Sequence, residues 1–312
     1  MNPASSKYFV IRQESIGRGL FSLVSGVICN LDIADKRGSI PVVDFENYKT
    51  VYNEAVPIHG TLNSWEYYFE PVSSASISEV YGSGDYFLSD NGYPEGYDYT
   101  IATIPELFPV YERYIKIKPH VEEHVGSLMK NFNDFNSGVL GVHFRGREMR
   151  TAAGHWYPPT LKQMIAAIDF MCQEDHFTKI FVSSEDLSLI KSIERAFPGK
   201  DIFYNEDYFR AARGNAYKIH PRENHFYRLG LEVLTDMFAL SRCSSLVSCS
   251  SNVPWFSRFI NNGKYDKHLF INNGPNFSRW PIHLFSWKVK SLMPSRFFGF
   301  KTDSSALQVE TP

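Results

Sequence analysis

Apolar positions along this chain alternate between strand-like runs and helix-like spacing. Tyr8-Phe9-Val10-Ile11 is a short β-prone run, and Gly17-Arg18-Gly19 breaks the pattern after it. Leu20, Leu23, Val24, Val27, Ile28 and Leu31 then recur at helical spacing up to Lys36-Arg37-Gly38, a helix stop. Ile40-Pro41-Val42-Val43-Asp44 follows as a second strand, which makes a βαβ unit and favours a parallel sheet. Residues 45–110, rich in Tyr, Ser, Gly and Pro, read as loops and short helices, and Glu106 to Lys130 as mostly helical.

A second series begins near Gly138. Val139-Leu140-Gly141-Val142-His143-Phe144 is almost continuously apolar, as in a strand buried on both faces. Further strands are expected at 179–183, 201–204, 245–248 and 268–271. Helices are expected at 160–173, 187–197, 226–242 and 253–262. This alternation predicts a doubly wound α/β domain, whose ligands bind outside the carboxyl ends of the strands.

Composition narrows the classes. With 43% apolar residues in 312, the chain can bury one large core or two medium ones. The formal charge is −2, so a nucleic-acid partner is not expected. The four cysteines, Cys29, Cys172, Cys243 and Cys249, form no C-x-x-C pair, read as buried reduced thiols and suit a reducing compartment. No apolar run approaches the ~18 residues of a spanning helix. A soluble, cytoplasmic protein is expected, at most peripheral at the inner face of a membrane.

Three clusters carry chemistry. Gly17-Arg18-Gly19 opens a helix, where backbone N–H groups attract anions, although a plain turn also explains it. His143 and Arg145 share a face at a strand end, with Gly146-Arg147-Glu148 following. They suit an anion clamp or, alternatively, a strand-end ion pair. Asp236 lies in an otherwise apolar helix and needs donors, such as a guanine edge or a helix partner. Ser250-Ser251-Asn252 begins the next helix, as a cap or a phosphate cradle. There is no P-loop, no G-x-S-x-G and no D-x-D. No metal and no resident cofactor are expected.

In order and spacing, these clusters resemble the fucosyltransferase superfamily, which includes the nodulation and core α-1,6-fucosyltransferases and the protein O-fucosyltransferases. Phe181-Val182-Ser183-Ser184-Glu185-Asp186 and Asn63 to Pro71 are similar to further family segments, so the resemblance spans residues 8–262. Arg147-Glu148 stand where bacterial relatives often carry Thr-Asp. The resemblance implies an α/β, GT-B-like fold with two Rossmann-like domains facing across a cleft. Their expected bounds are 1–136 on the acceptor side and 137–280 on the donor side. Residues 281–312 would cross back to the first domain or form a surface tail.

The implied reaction is metal-independent, inverting transfer from GDP-fucose to a glycan acceptor. His143 and Asp236 would contact guanine, and Arg145 with Ser250, Ser251 and Asn252 would hold the diphosphate. Gly17, Arg18 and Gly19 would complete the donor site. Glu148, Glu14 and His155 are the candidate bases. The alternatives are a GT-B transferase using another nucleotide sugar and a relative that binds nucleotide or glycan without turnover. In the tail, Trp287 to Met293 and Arg296 to Lys301 interleave basic and aromatic residues. This raises weak peripheral contact with an anionic membrane, which would suit a lipid-linked acceptor.

Overall fold

The computed structural model describes residues 6–97, 105–131, 138–210, 216–219, 221–301 and 307–310. The chain divides into two compact units, Met1–Gly126 with His220–Thr235, and Ser127–Ile219 with Asp236–Pro312. The first division therefore lies ten residues before the expected 136. Residues 220–235 join the first unit, and the tail from 281 groups with the second.

In the first unit, β1 (Tyr8–Ile11) leads into α1 (Leu20–Arg37), β2 (Ile40–Val43), α2 (Ile77–Ser83) and β3 (Tyr86–Leu88). The sheet order is β2-β1-β3, all parallel, with Tyr8 opposite Ile40 and Tyr86. The apolar stripe on α1 buries Leu23, Val24, Val27, Ile28 and Leu31. Full burial of each such side chain contributes about 1.5–3 kcal/mol. The aromatic segment near Trp65 is core: Trp65, Tyr67 and Tyr68 are buried. The Tyr68 ring stacks on Tyr227 at 5.7 Å, and its hydroxyl donates to the Tyr227 carbonyl at 2.9 Å. This pairing explains why residues 220–235 belong with the first unit.

The expected helix over 106–130 is two helices, α3 (Phe108–Tyr114) and α4 (Pro119–Asn131). Ile115 is extended, and Ile117 bridges to Phe69. Pro119 biases Lys118 away from helical geometry, so the break is local chemistry.

In the second unit the strands are β4 (Val139–His143), β5 (Lys179–Ser183), β6 (Asp201–Phe203), β7 (Ser245–Cys249) and β8 (Lys267–Ile271). Between them run α5 (Leu161–Asp175), α6 (Leu187–Ala196), α7 (His225–Ser241) and α8 (Asn252–Asn261). After β8 come α9 (Ser286–Leu292) and β9 (Leu307–Glu310). The order is β6-β5-β4-β7-β8-β9, parallel except for β9, which pairs antiparallel with β8. Every residue of β4 and β7 is buried, as the nearly continuous apolar run of β4 leads one to expect, and the buried residues of β7 include Ser245 and Ser248. Thr160 and Gln163 form a capping box that fixes the start of α5. All four cysteines are buried and none is in a disulfide. No described helix is long and apolar enough to cross a membrane.

Candidate functional site

In the second unit, the chain leaves β4 toward β5 and β6 on one side, while β7 and β8 lie on the other. The topology therefore reverses between β4 and β7. Crevices outside the carboxyl ends of strands at such a point are where α/β folds bind ligands.

Residues from both strand ends meet there. Phe144 is buried and donates its N–H to the Ser183 carbonyl at 2.9 Å, which fixes the exit from β4. The next residue, Arg145, donates through Nη1 to Ser251 Oγ at 3.0 Å. Ser251 sits at the N-cap of α8 in extended geometry, yet its side chain caps nothing. Its hydroxyl faces Arg145 in place of the helix N–H groups. Arg145 Nε is buried with no hydrogen-bond partner, and Arg145 makes no ion pair among the described residues. The nearby carboxylate of Glu185 accepts from the Gly146 N–H at 2.8 Å. For Arg145, then, the strand-end ion pair that spacing left open is not what forms among the described residues. A permanent cation with an unsatisfied donor lies beside a helix start, and that combination favours a phosphate-like anion.

Its charge reaches neighbouring groups. Burial pushes His143 down to about 3, with Arg145 adding to the effect, so the imidazole is neutral near pH 7. His143 Nδ1 is buried and has no hydrogen-bond partner. Loss of solvent lowers His155, and Arg145 lowers it further. Burial raises the Cys249 thiol to about 12, against the opposing pull of the Arg145 backbone N–H and charge.

A second pair forms at the ends of β5 and β6. Asn205, two residues beyond β6, donates from Nδ2 to Asp236 Oδ1 on α7. Asn205 is buried, and its Oδ1 has no partner. Arg210 closes this edge, donating to the carbonyls of Ser184 at 3.1 Å and Asn205 at 2.8 Å and lying over the Tyr204 ring. Sequence reasoning passed over Asn205 and Arg210. The signal available for Asn205 was its place just past a strand end, the rule that selected Arg145.

Ser250 and Asn252 flank Ser251 at the β7–α8 turn and are half-buried. Glu148 lies in a short 3-10 turn, and its side chain, like that of Arg147, lies outside the described residues. Glu14, Gly17, Arg18 and Gly19 belong to the first unit. Glu14 is exposed. Arg18 donates through Nη1 to Gln13 Oε1 at 2.9 Å, and its N–H donates to Ser15 Oγ at 3.1 Å. Gln13 is buried and donates in turn to the Gly92 carbonyl at 2.6 Å. A Cβ on Gly17 or Gly19 would meet nothing within 4 Å, so packing does not demand glycine there.

No family model and no curated protein matches the chain. Solved structures do. NodZ α-1,6-fucosyltransferase soaked with GDP-fucose has a TM-score of 0.56 at 13% identity, covering 86% of this chain and 95% of that one. Fucosyltransferase NodZ from Bradyrhizobium has a TM-score of 0.54 at 13% identity, covering 85% and 96%. POFUT1 in complex with GDP has a TM-score of 0.51 at 9% identity, covering 85% and 97%. At such identities the likeness is one of fold. The chain has the mixed α/β, GT-B-like fold of these fucosyltransferases, as the sequence resemblance implied.

Proposed function

We propose that the chain is a glycosyltransferase that moves fucose from GDP-fucose to a glycan acceptor, with inversion and without a metal. The observation that carries this reading is Arg145, with its buried, unsatisfied Nε, joined to Ser251 at the switch point of a parallel sheet. The fold supports it, because similar structures are fucosyltransferases with GDP-fucose or GDP. Four buried cysteines outside any disulfide support a reducing, cytoplasmic setting.

In this reading the acceptor oxygen attacks the anomeric carbon on the face opposite the diphosphate. The C–O bond to the diphosphate breaks through an oxocarbenium-like transition state. Charge grows on the leaving diphosphate, where Arg145 and the N–H groups at the start of α8 stabilise it without reorganising. Asp236, held by Asn205, accepts from the two donors of a guanine edge, and neutral His143 offers Nδ1 to the same base. The acceptor proton passes to a base among Glu148, Glu14 and His155. Of these, His155 is held neutral within the field of Arg145.

A nucleotide panel read by thermal shift tests the donor assignment, because a ligand of the native state raises stability. GDP should raise the melting temperature more than UDP, CMP or ADP, and EDTA should leave transfer unchanged. A shift with UDP and none with GDP would replace the donor. Loss of transfer in EDTA with rescue by Mn²⁺ would replace the metal-free mechanism.

A further inference from the structure

Among the described residues, ten of the sixteen exposed large apolar ones lie between Phe277 and Phe298. Phe298 is 87% exposed, Trp280 79%, Phe277 78% and Leu292 77%, and Ile282, Leu284, Phe285, Val289, Met293 and Phe297 are also open to solvent. Single exposed apolar residues are ordinary, but such a concentration marks an interaction surface.

This segment is a built structure. The Tyr157 hydroxyl donates to Asn276 Oδ1 and lies in hydrogen-bond contact with the Ser286 hydroxyl, both at 2.9 Å, in a buried network. Trp287 Nε1 donates to the Pro158 carbonyl at 2.7 Å, and the Arg150 guanidinium lies over the Trp287 ring at 4.3 Å. Phe300 is buried against Tyr157, and its N–H returns to the Lys290 carbonyl at 3.1 Å. The exposed groups are therefore presented from fixed anchors within the second unit.

The tip adds backbone strain. Phe298 has φ +66°, a left-handed conformation that is unfavourable for a side-chain-bearing residue. Gly299 follows where a Cβ would come within 1.9 Å of the Met293 carbonyl oxygen. The N–H groups of Phe297 and Gly299 both close on the Pro294 carbonyl, at 2.9 and 3.1 Å. This strained turn holds Phe297 and Phe298 outward. A turn serving only to connect α9 to β9 would gain by burying them.

Charge selects the occupant. From 268 to 302 the chain carries Arg279, Lys288, Lys290, Arg296 and Lys301 and no Asp or Glu, although the whole chain is net negative. None of the five forms an ion pair with a carboxylate among the described residues. Lys290 lies over the Tyr157 and Phe300 rings, while Arg279, Lys288 and Arg296 are exposed. Aromatic rings favour the boundary between lipid headgroups and acyl chains, and Lys and Arg favour anionic headgroups. We propose that residues 277–298 form a docking surface for an anionic lipid bilayer, entered by Trp280, Phe297 and Phe298 and flanked by Arg279, Lys288 and Arg296. This surface is independent of the donor assignment.

Co-sedimentation of the full chain with phosphatidylserine–phosphatidylcholine vesicles tests it. Two variants accompany the wild type, Trp280→Ser/Phe297→Ser/Phe298→Ser and Arg279→Gln/Lys288→Gln/Arg296→Gln. All six side chains are exposed, so both variants should keep the wild-type melting temperature and its shift with GDP. The wild type should bind at low salt and be released by salt. It should ignore pure phosphatidylcholine, and each variant should bind at least about tenfold more weakly. No binding to anionic vesicles at low salt would overturn the proposal, as would binding by both variants equal to that of the wild type. A dimer of the wild type that the aromatic variant abolishes would assign the surface to a second copy of the chain.

Discussion

Two arginines sit beside glycines just past parallel strands, one in each unit, and their circumstances differ. Arg18 follows β1, and its guanidinium is tied to buried Gln13, which is tied in turn to the carbonyl at Gly92. It helps hold two loops of the first unit together. Arg145 follows β4 and, among the described residues, its side chain hydrogen-bonds only to a serine hydroxyl, with Nε buried and unsatisfied. The pairing of Arg with Gly at a strand end is the same in both. What separates them is whether the fold itself satisfies the guanidinium. A buried donor left without a partner costs about 1–3 kcal/mol, a cost that a ligand can remove.

Replacing each arginine is the largest test of this contrast. Arg145→Ala should lower kcat by about 10²–10³, as expected for loss of a donor to the leaving group, with the melting temperature little changed. Arg18→Ala should lower stability by about 1 kcal/mol in urea unfolding and change kcat much less. If Arg18→Ala abolishes turnover at unchanged stability, the contrast is wrong and Arg18 is part of the site.

Next is Asp236→Asn. The change keeps size but loses a charged acceptor, so GDP affinity by titration calorimetry should fall about 10- to 100-fold. UDP affinity should be unaffected. Equal losses for both nucleotides would show that Asp236 supports the site through Asn205 and does not read the base.

Acid sharpens the comparison further. In the unfolded chain His143 takes up a proton below about 6.5, whereas in the folded protein it stays neutral down to about pH 3. Its contribution to stability is therefore fully present above 6.5 and is lost as pH falls from 6.5 toward 3. Between pH 7 and pH 5 the loss should be about 2 kcal/mol in urea unfolding. His143→Gln should flatten that slope, and an unchanged slope would place the acid sensitivity elsewhere. Ser251→Ala is the mildest test: freeing Nη1 should lower kcat by about fivefold, since the hydroxyl orients Arg145 without replacing it.

Much of the second unit was legible because its strands are built on short apolar runs, such as Val139 to Val142, separated by helical spacing. The carboxyl-end rule then selected Arg145 and Ser251. β3 escaped notice because Tyr86-Phe87-Leu88 is three residues long and half-buried, too short to show a period. β9, Leu-Gln-Val-Glu, joins the sheet only by pairing with β8, a partner its own pattern does not name. Asn205 and Asp236 stand 31 residues apart, and Gln13 and Gly92 stand 79 apart. Contacts at those separations depend on tertiary packing, so neither the Asn205–Asp236 pair nor the tie beneath Arg18 could be read locally.

The central claim is that the carboxyl edge of the second sheet carries out sugar transfer from a guanine nucleotide donor. Release of GDP from GDP-fucose, measured with and without candidate glycan acceptors for the wild type and for folded Arg145→Ala, tests it most directly. The account predicts slow GDP release by the wild type alone, faster release with a productive acceptor, and a loss of about 10²–10³ in the variant. GDP that binds but is never released from GDP-fucose, or equal rates for the wild type and Arg145→Ala, would contradict it.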